Sequence, residues 1–385
     1  MSQYSIPCSV YRGGTSRGLY FLEKDLPADA AERDRAFLAA IDSYNPSQVN
    51  GLGGTTSSTS KVCVVAPSSR PGADVDWTFY QLGVASPVVD SKGTCGNLMA
   101  GVGAFAVDQG LVPVDPGQIM AVVNVYNVNI KKIIRMEVPV IGGRARVGGD
   151  YAIPGVLGTG AMMALSIMNP GGELTGTQLS LGAATDVALD GKTYTVTFSD
   201  LINPFIFIAA SDLGLTGTEP LKAVAADQDL LDTLNAIRDK VAVLCGIAKD
   251  EQEAREKKPN VPKIAMVAPP ADYVTTGGET VRAGDVDMLI KVVSMGKFHR
   301  TSPGSGMYNL AASALLPGTV PHAVAGFAPG TTERMVRIGH PEGVVEVKAV
   351  LNPDGGLATV GMERTARLIM RGEVFIPESP AVMYG

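Results

Sequence analysis

The run Asn97-Leu98-Met99-Ala100-Gly101-Val102-Gly103-Ala104-Phe105-Ala106-Val107-Asp108-Gln109 has helical character but almost no polar face. A helix apolar nearly all round is a buried helix. Gly101 and Gly103 each cost about 1 kcal/mol against alanine there. Close packing against a surrounding sheet is what could offset that cost. Gly110 suits the position just past the helix, and Pro113 follows as a stop. A fainter copy occurs later: Gly306 to Leu316 is short, Ala-rich and apolar, and halts at Pro317-Gly318. The echo suggests a sheet wrapped on one central helix in each half, 97–109 in the first and 306–316 in the second.

The segments flanking these helices read as strands. Tyr4 to Val10 and Leu19 to Leu22 form a hairpin whose tip is Arg12-Gly13-Gly14-Thr15-Ser16-Arg17-Gly18. Asp29 to Ser43 has helical spacing, with Phe37, Leu38 and Ile41 on its apolar side. Lys61 to Ala66 and Val75 to Leu82 are strand-like, and 119–147 is rich in β-branched residues. The stretch 155–191 is rich in Gly and Thr, which puts a domain boundary near residue 185, giving domains 1–185 and 186–385. In the second half, Thr193 to Phe198, Phe205 to Ala209, Lys263 to Ala268 and Asp287 to Ser294 read as strands. Asp227 to Lys249 reads as an amphipathic helix, and the charged stretch Lys249 to Lys258 as exposed.

Composition narrows the function. The 385 residues include 45% hydrophobic and only 18% charged residues, enough apolar material for substantial cores. A net charge of −6 argues against nucleic acid or an anionic membrane as partner, while leaving room for a basic pocket. No apolar run reaches the roughly 18 residues needed to span a bilayer. The first residues carry neither a basic nor an apolar leader pattern. A cytoplasmic protein is the expectation. The cysteines are Cys8, Cys63, Cys95 and Cys245, with no C-x-x-C pair, and the histidines are His299, His322 and His340. That set gives poor support for zinc and suits free thiols in a reducing compartment.

Two residues stand out chemically. Cys95 opens the first buried helix, where unpaired N–H groups and about half a positive charge ease thiol ionisation and bind carboxylates. Its competing reading is a buried structural thiol, the reading assigned to Cys8, Cys63 and Cys245. Lys61 ends the run Gly53-Gly54-Thr55-Thr56-Ser57-Ser58-Thr59-Ser60. Hydroxyls and backbone N–H groups in such a turn can cradle a carboxylate, and a lysine in a partly dry pocket can act as a base. The competing reading is a flexible linker. Arg12 and Arg17, with Thr15 and Ser16 between them, offer bidentate carboxylate binding or merely a solvated hairpin tip. Asn203 before a strand, and His299, Arg300 and Ser305 around the second helix start, are further candidates beside ordinary turn chemistry. No dinucleotide fingerprint or Walker A sequence is present.

Arg12-Gly13-Gly14-Thr15-Ser16, the Gly53 to Lys61 run and Cys95-Gly96-Asn97-Leu98 together resemble the PrpF-type isomerases. Asp285-Val286-Asp287, Ser294-Met295-Gly296-Lys297 and Pro317-Gly318-Thr319 extend the resemblance into the second half. That family includes 2-methylaconitate cis–trans isomerase, 3-methylitaconate and aconitate Δ-isomerases and 4-oxalomesaconate tautomerase. The resemblance implies the diaminopimelate epimerase-like fold: an α+β chain of two similar domains, each a mainly antiparallel sheet wrapped on a central helix, with the site between them. It also implies Lys61 and Cys95 as the acid/base pair, and neither metal nor organic cofactor. The epimerases carry a catalytic cysteine at both helix starts; this chain has Ser305 at the second.

The expected substrate is a small unsaturated di- or tricarboxylate. Lys61 removes an allylic proton and Cys95 returns one at the far end of the allyl unit, or the two exchange roles. Thr56, Ser57, Ser58, Ser60 and the N–H groups of Gly96 and Asn97 would hold the developing charge. The rival readings are an amino-acid racemase or epimerase and a non-catalytic carboxylate-binding accessory protein for a dehydratase. Oligomeric state stays open, a homodimer among the options. The choice among the family's acids rests on pocket shape.

Overall fold

The computed structural model describes residues 3–378 apart from 92, 154, 295 and 301. Met295 of the Ser294–Lys297 motif therefore lies outside the described residues. The chain divides into two compact units. One comprises Met1–Ser166 together with Glu363–Gly385, the other Ile167–Met362. The single boundary expected near residue 185 is thus replaced by a crossing near 166 and a return near 363. The cause is a strand pairing across the whole chain: Ala366–Pro377 runs antiparallel along the first strand, from Gln3↔Pro377 to Gly13↔Ala366.

In the N-terminal unit, strands β1 (Gln3–Gly13) and β2 (Ser16–Leu22) form the expected hairpin. Helix α1 (Ala30–Ile41) follows; Asp29 caps it by accepting from Glu32 N at 2.9 Å, and it buries Phe37, Leu38 and Ile41. Strand β3 (Lys61–Pro67) lies parallel to β2 and antiparallel to β4 (Val75–Leu82). Next come helix α2 (Gly96–Asp108) and the antiparallel pair β5 (Met120–Asn127) and β6 (Lys132–Ile141).

Helix α2 is the hub of this unit. Every residue from Leu98 to Val107 is buried. The helix touches β1, β2, β3, β5, β6 and the C-terminal strand 366–377, so no side of it faces water for long. That enclosure explains the missing polar face. It also explains the glycines. A Cβ on Gly103 would sit 2.8 Å from Val138 Cγ2, and one on Gly101 would run into the Tyr20 hydroxyl.

The C-terminal unit repeats the scheme with other parts. Strands β7 (Thr185–Leu189) and β8 (Lys192–Ser199) form a hairpin turning at Asp190-Gly191, both at positive φ. Strand β9 (Phe205–Ala209) pairs antiparallel with β8. Helix α3 (Gln228–Leu244) buries Leu230, Leu231, Leu234, Ile237 and Val241, as its spacing predicts. The charged stretch after it holds a further short helix, Glu251–Lys257, capped by Asp250. Strand β10 (Lys263–Ala268) runs parallel to β9 and antiparallel to β11 (Met288–Ser294). Helix α4 (Gly304–Leu315) buries every residue from Gly306 to Leu315. Strands β12 (Glu333–His340) and β13 (Gly343–Leu351) pair antiparallel and pack on it.

Both central helices begin slightly earlier than their apolar runs, because small residues form each first turn. In α4 the fully buried Asn309 donates through Nδ2 to the carbonyls of Ser199, Leu201 and Asn203, at 3.0, 3.2 and 3.0 Å. A polar side chain inside an apolar helix is tolerated because it satisfies loop carbonyls that water cannot reach.

Candidate active site

The site is built where the β1–β2 hairpin tip meets the start of α2. The approach is close enough to require glycine: a Cβ on Gly13 would lie 2.5 Å from Asn97 O, and one on Gly14 would strike the Asn97 side chain. Gly14 also sits at φ +51°. The contact is sealed by Asn97 Nδ2 donating to Thr15 Oγ1 at 2.9 Å. Ser16 is buried beside them.

The two arginines opposite each other in this hairpin serve different backbones. Arg12 Nη1 donates to Gly14 O and Thr365 O, both at 3.0 Å, which ties the hairpin to the returning C-terminal segment. Burial, reinforced by Arg367, lowers the Arg12 pKa. Arg17 Nη2 donates to Leu52 O and Gly53 O at 3.2 and 3.1 Å, and Arg17 N to Ser58 O at 3.0 Å. Arg17 therefore clamps the hydroxyl run onto the hairpin.

That run is an ordered turn. Thr59 N donates to Thr56 O at 3.1 Å, and the Thr56 hydroxyl meets those of Ser58 and Thr59 at 2.8 and 2.9 Å. Ser60 is buried and bonded to the Gln48 amide, whose Oε1 also accepts from Thr55 N at 2.6 Å. Thr56 and Ser57 are left on the exposed side.

Lys61 follows as the first residue of β3 and is only 8% exposed. Its ammonium lies 5.1 Å from the Phe79 ring centroid and donates to Gln81 Oε1 at 2.7 Å. Register dictates this: Lys61 faces Gln81 across the β3–β4 pair, and Cys63 faces Phe79. Gln81 cannot turn away. Its Nε2 donates to Ser57 O, Ser60 O and Leu82 O, at 3.0, 2.9 and 3.2 Å. With the nitrogen so committed, the oxygen is the atom left for Lys61.

Cys95 is the cap residue of α2, extended at φ −128° and ψ 103°, half-buried, with no capping bond from its side chain. The loop leading to it is pinned. The buried Asn127 donates to Thr94 Oγ1 at 2.8 Å, and Asn129 Nδ2 to Ser91 O at 2.7 Å and Phe79 O at 3.0 Å. Burial pushes Cys8 up to about 12 and Cys245 up to about 11, and raises Cys63 further still. Cys63 also marks the geometry, because its wholly buried thiol lies within electrostatic reach of both Cys95 and Lys61.

Arg12, Thr15, Ser16, Arg17, Thr56, Ser57, Ser58, Ser60, Lys61, Cys95, Gly96 and Asn97 thus form one connected neighbourhood within the N-terminal unit. Asn203, His299, Arg300 and Ser305 belong to the C-terminal unit. There, the Asn203 carbonyl accepts from Asn309, and His299 N donates to Val292 O at 2.8 Å. The exposed Arg300 donates from Nε to Glu342 Oε1 at 2.7 Å, and Ser305 sits half-buried in the first turn of α4. The residues that sequence reasoning missed are Gln48, Gln81, Asn127 and Asn129. Each is an amide that holds a backbone or a reactive group in place. Only Gln81 had a signal: it is a polar residue on the same strand face as Trp77 and Phe79.

Comparison with known proteins agrees with this architecture. The family model described as PrpF protein matches residues 3–377. A 3-methylitaconate isomerase of Eubacterium barkeri is 39% identical over 383 residues, covering 99% of each chain. A 2-methyl-aconitate isomerase of Shewanella oneidensis is 37% identical, covering 98% of each. Among solved structures, a methylitaconate-delta-isomerase superposes with a TM-score of 0.90 at 38% identity, over 98% of this chain and 96% of that one. A hydroxyproline epimerase of Agrobacterium vitis, 11% identical, shares the fold alone at a TM-score of 0.52, over 98% of this chain and 94% of that one.

Proposed function

This chain belongs to the PrpF family, and on that footing we propose that it isomerises an unsaturated di- or tricarboxylate by allylic proton transfer between Lys61 and Cys95. The supporting observation is a single one. A buried, oriented amine and a half-buried thiol at the cap position of α2 both lie within electrostatic range of the interior thiol of Cys63. Of the thiols in this neighbourhood Cys63 is wholly buried and Cys95 is not, which supports Lys61 and Cys95 as the pair.

The chemistry follows from the positions. The substrate's carboxylate is drawn to the N-terminus of α2, where the N–H groups after Cys95 lack helical partners. Removing the proton next to the C=C–carboxylate system leaves negative charge spread onto oxygen, and those N–H groups with the exposed Thr56 and Ser57 hydroxyls stabilise it. The second group protonates the far end of the allyl unit. The double bond moves, or a geometric isomer forms after rotation. Lys61 as base and Cys95 as acid in one direction become acid and base in the reverse direction, so one pair serves both.

The substrate is one of the family's acids. Proton NMR of the protein with aconitate, methylaconitate, methylitaconate and oxalomesaconate in turn tests the proposal. Migration or geometric inversion of the double bond in at least one acid is expected. Four unchanged spectra would overturn it.

A further inference from the structure

The C-terminal unit holds a cavity of about 320 Å³, framed by 217–222, 273–276, the middle of β11 and the end of β12. None of the residues assigned above to proton transfer or substrate binding lines it. Leu221, Tyr273, Leu289 and Ile290 contribute apolar wall. The lining also carries Glu219, His340, the exposed Lys222 and the buried Lys291. Lys291 lies in the middle of β11, between the buried Ile290 and Val292, and is only 7% exposed.

The Lys291 ammonium has three N–H donors to place. One goes to the Gly217 carbonyl. Among the described residues Lys291 makes no ion pair. Glu219 is the acid whose charge it feels, yet that carboxylate is already occupied. It accepts from Thr216 N, Thr216 Oγ1 and Gly217 N, at 2.6, 2.7 and 2.9 Å. Burial lowers Lys291 to about 8 in spite of Glu219. A buried cation with donors to spare, beside the apolar part of the wall, is costly unless an acceptor arrives from outside.

We propose that this cavity binds a small monocarboxylate with an apolar body, its carboxylate on Lys291 Nζ and its carbon chain against Tyr273 and Leu289. One buried ammonium matches one carboxylate. Glu219 beside it disfavours a second. The ligand therefore differs in class from the polycarboxylate of the proton-transfer site, and the inference does not depend on that site's chemistry.

The test is calorimetric titration of hexanoate into the full chain, with hexan-1-ol as the neutral control. Hexanoate should bind wild type and Lys61→Ala equally. Lys291→Met should weaken it by at least about tenfold, and hexan-1-ol should bind at least about tenfold more weakly than hexanoate. The proposal fails if wild type does not bind hexanoate, if Lys291→Met binds it as well, if Lys61→Ala abolishes it, or if the alcohol equals the acid. Crystals of the wild-type protein soaked in 4-bromobenzoate give a readout that needs no variant. Anomalous bromine signal in this cavity supports the site, and signal only elsewhere overturns it.

Discussion

Gln81 holds the Lys61 ammonium at 2.7 Å while its own nitrogen is tied to the carbonyls of Ser57, Ser60 and Leu82. The hydroxyl run and the proposed acid/base amine are therefore one mechanical unit, with Gln81 as the joint.

Gln81 acts through Lys61, so its removal should be felt in turnover before binding. Gln81→Leu should lower kcat by about 10- to 100-fold, the scale of an ångström-sized misplacement, with KM within a few-fold. Gln81→Glu keeps the contact but sets a carboxylate against the ammonium, which favours its protonated form. Gln81→Glu should therefore change the pH–rate profile, whereas a purely structural role would leave it as in wild type.

Gly101 and Gly103 of α2 should tolerate no side chain. Gly101→Ala would gain up to about 1 kcal/mol of helix propensity. The new Cβ would meet the Tyr20 hydroxyl, which already donates to Leu98 O at 2.7 Å. Overpacking of this kind costs about 1–3 kcal/mol, so net destabilisation is expected in urea melts. Adding Tyr20→Phe should recover part of the loss, giving a double variant less destabilised than the sum of the two.

Lys291 carries a pH signature of its own. Its folded-state pKa, lowered to about 8 chiefly by burial and opposed by Glu219, lies below the ordinary lysine value of 10.5. Between those values the unfolded chain holds a proton that the folded chain has released. This group's contribution to stability therefore rises with pH across that window, and its cost is fully present below about 8. Lys291→Met should be the more stable protein at pH 7, by an amount on the order of 1–3 kcal/mol, and the difference should shrink towards pH 10. Urea midpoints of the two proteins at both pH values check it.

Much of this molecule could be read before its coordinates. Helix α2 was legible because ten successive buried residues leave no amphipathic ambiguity. Cys95 at its start, the β1–β2 tip and the hydroxyl run before Lys61 were legible because Gly, Ser and Thr cluster there against apolar flanks. The return of Ala366–Pro377 to pair with β1 was not, because strand periodicity says nothing about a partner hundreds of residues away. That one pairing moved the boundary from 185 to 166 and 363. The roles of Gln48, Gln81, Asn127 and Asn129 were equally hidden, since an amide acquires its function only from the atoms that folding sets around it.

Solvent deuterium incorporation reports directly on proton transfer by Lys61 and Cys95. The family's acids are incubated in heavy water with wild type, Lys61→Ala and Cys95→Ala, and deuterium at the allylic carbons is followed by NMR. Label should enter with double-bond movement for wild type, at a rate lower by about 100-fold or more in each variant. Wild-type turnover in either variant, or no label in any acid with the wild-type protein, would contradict proton transfer by this pair.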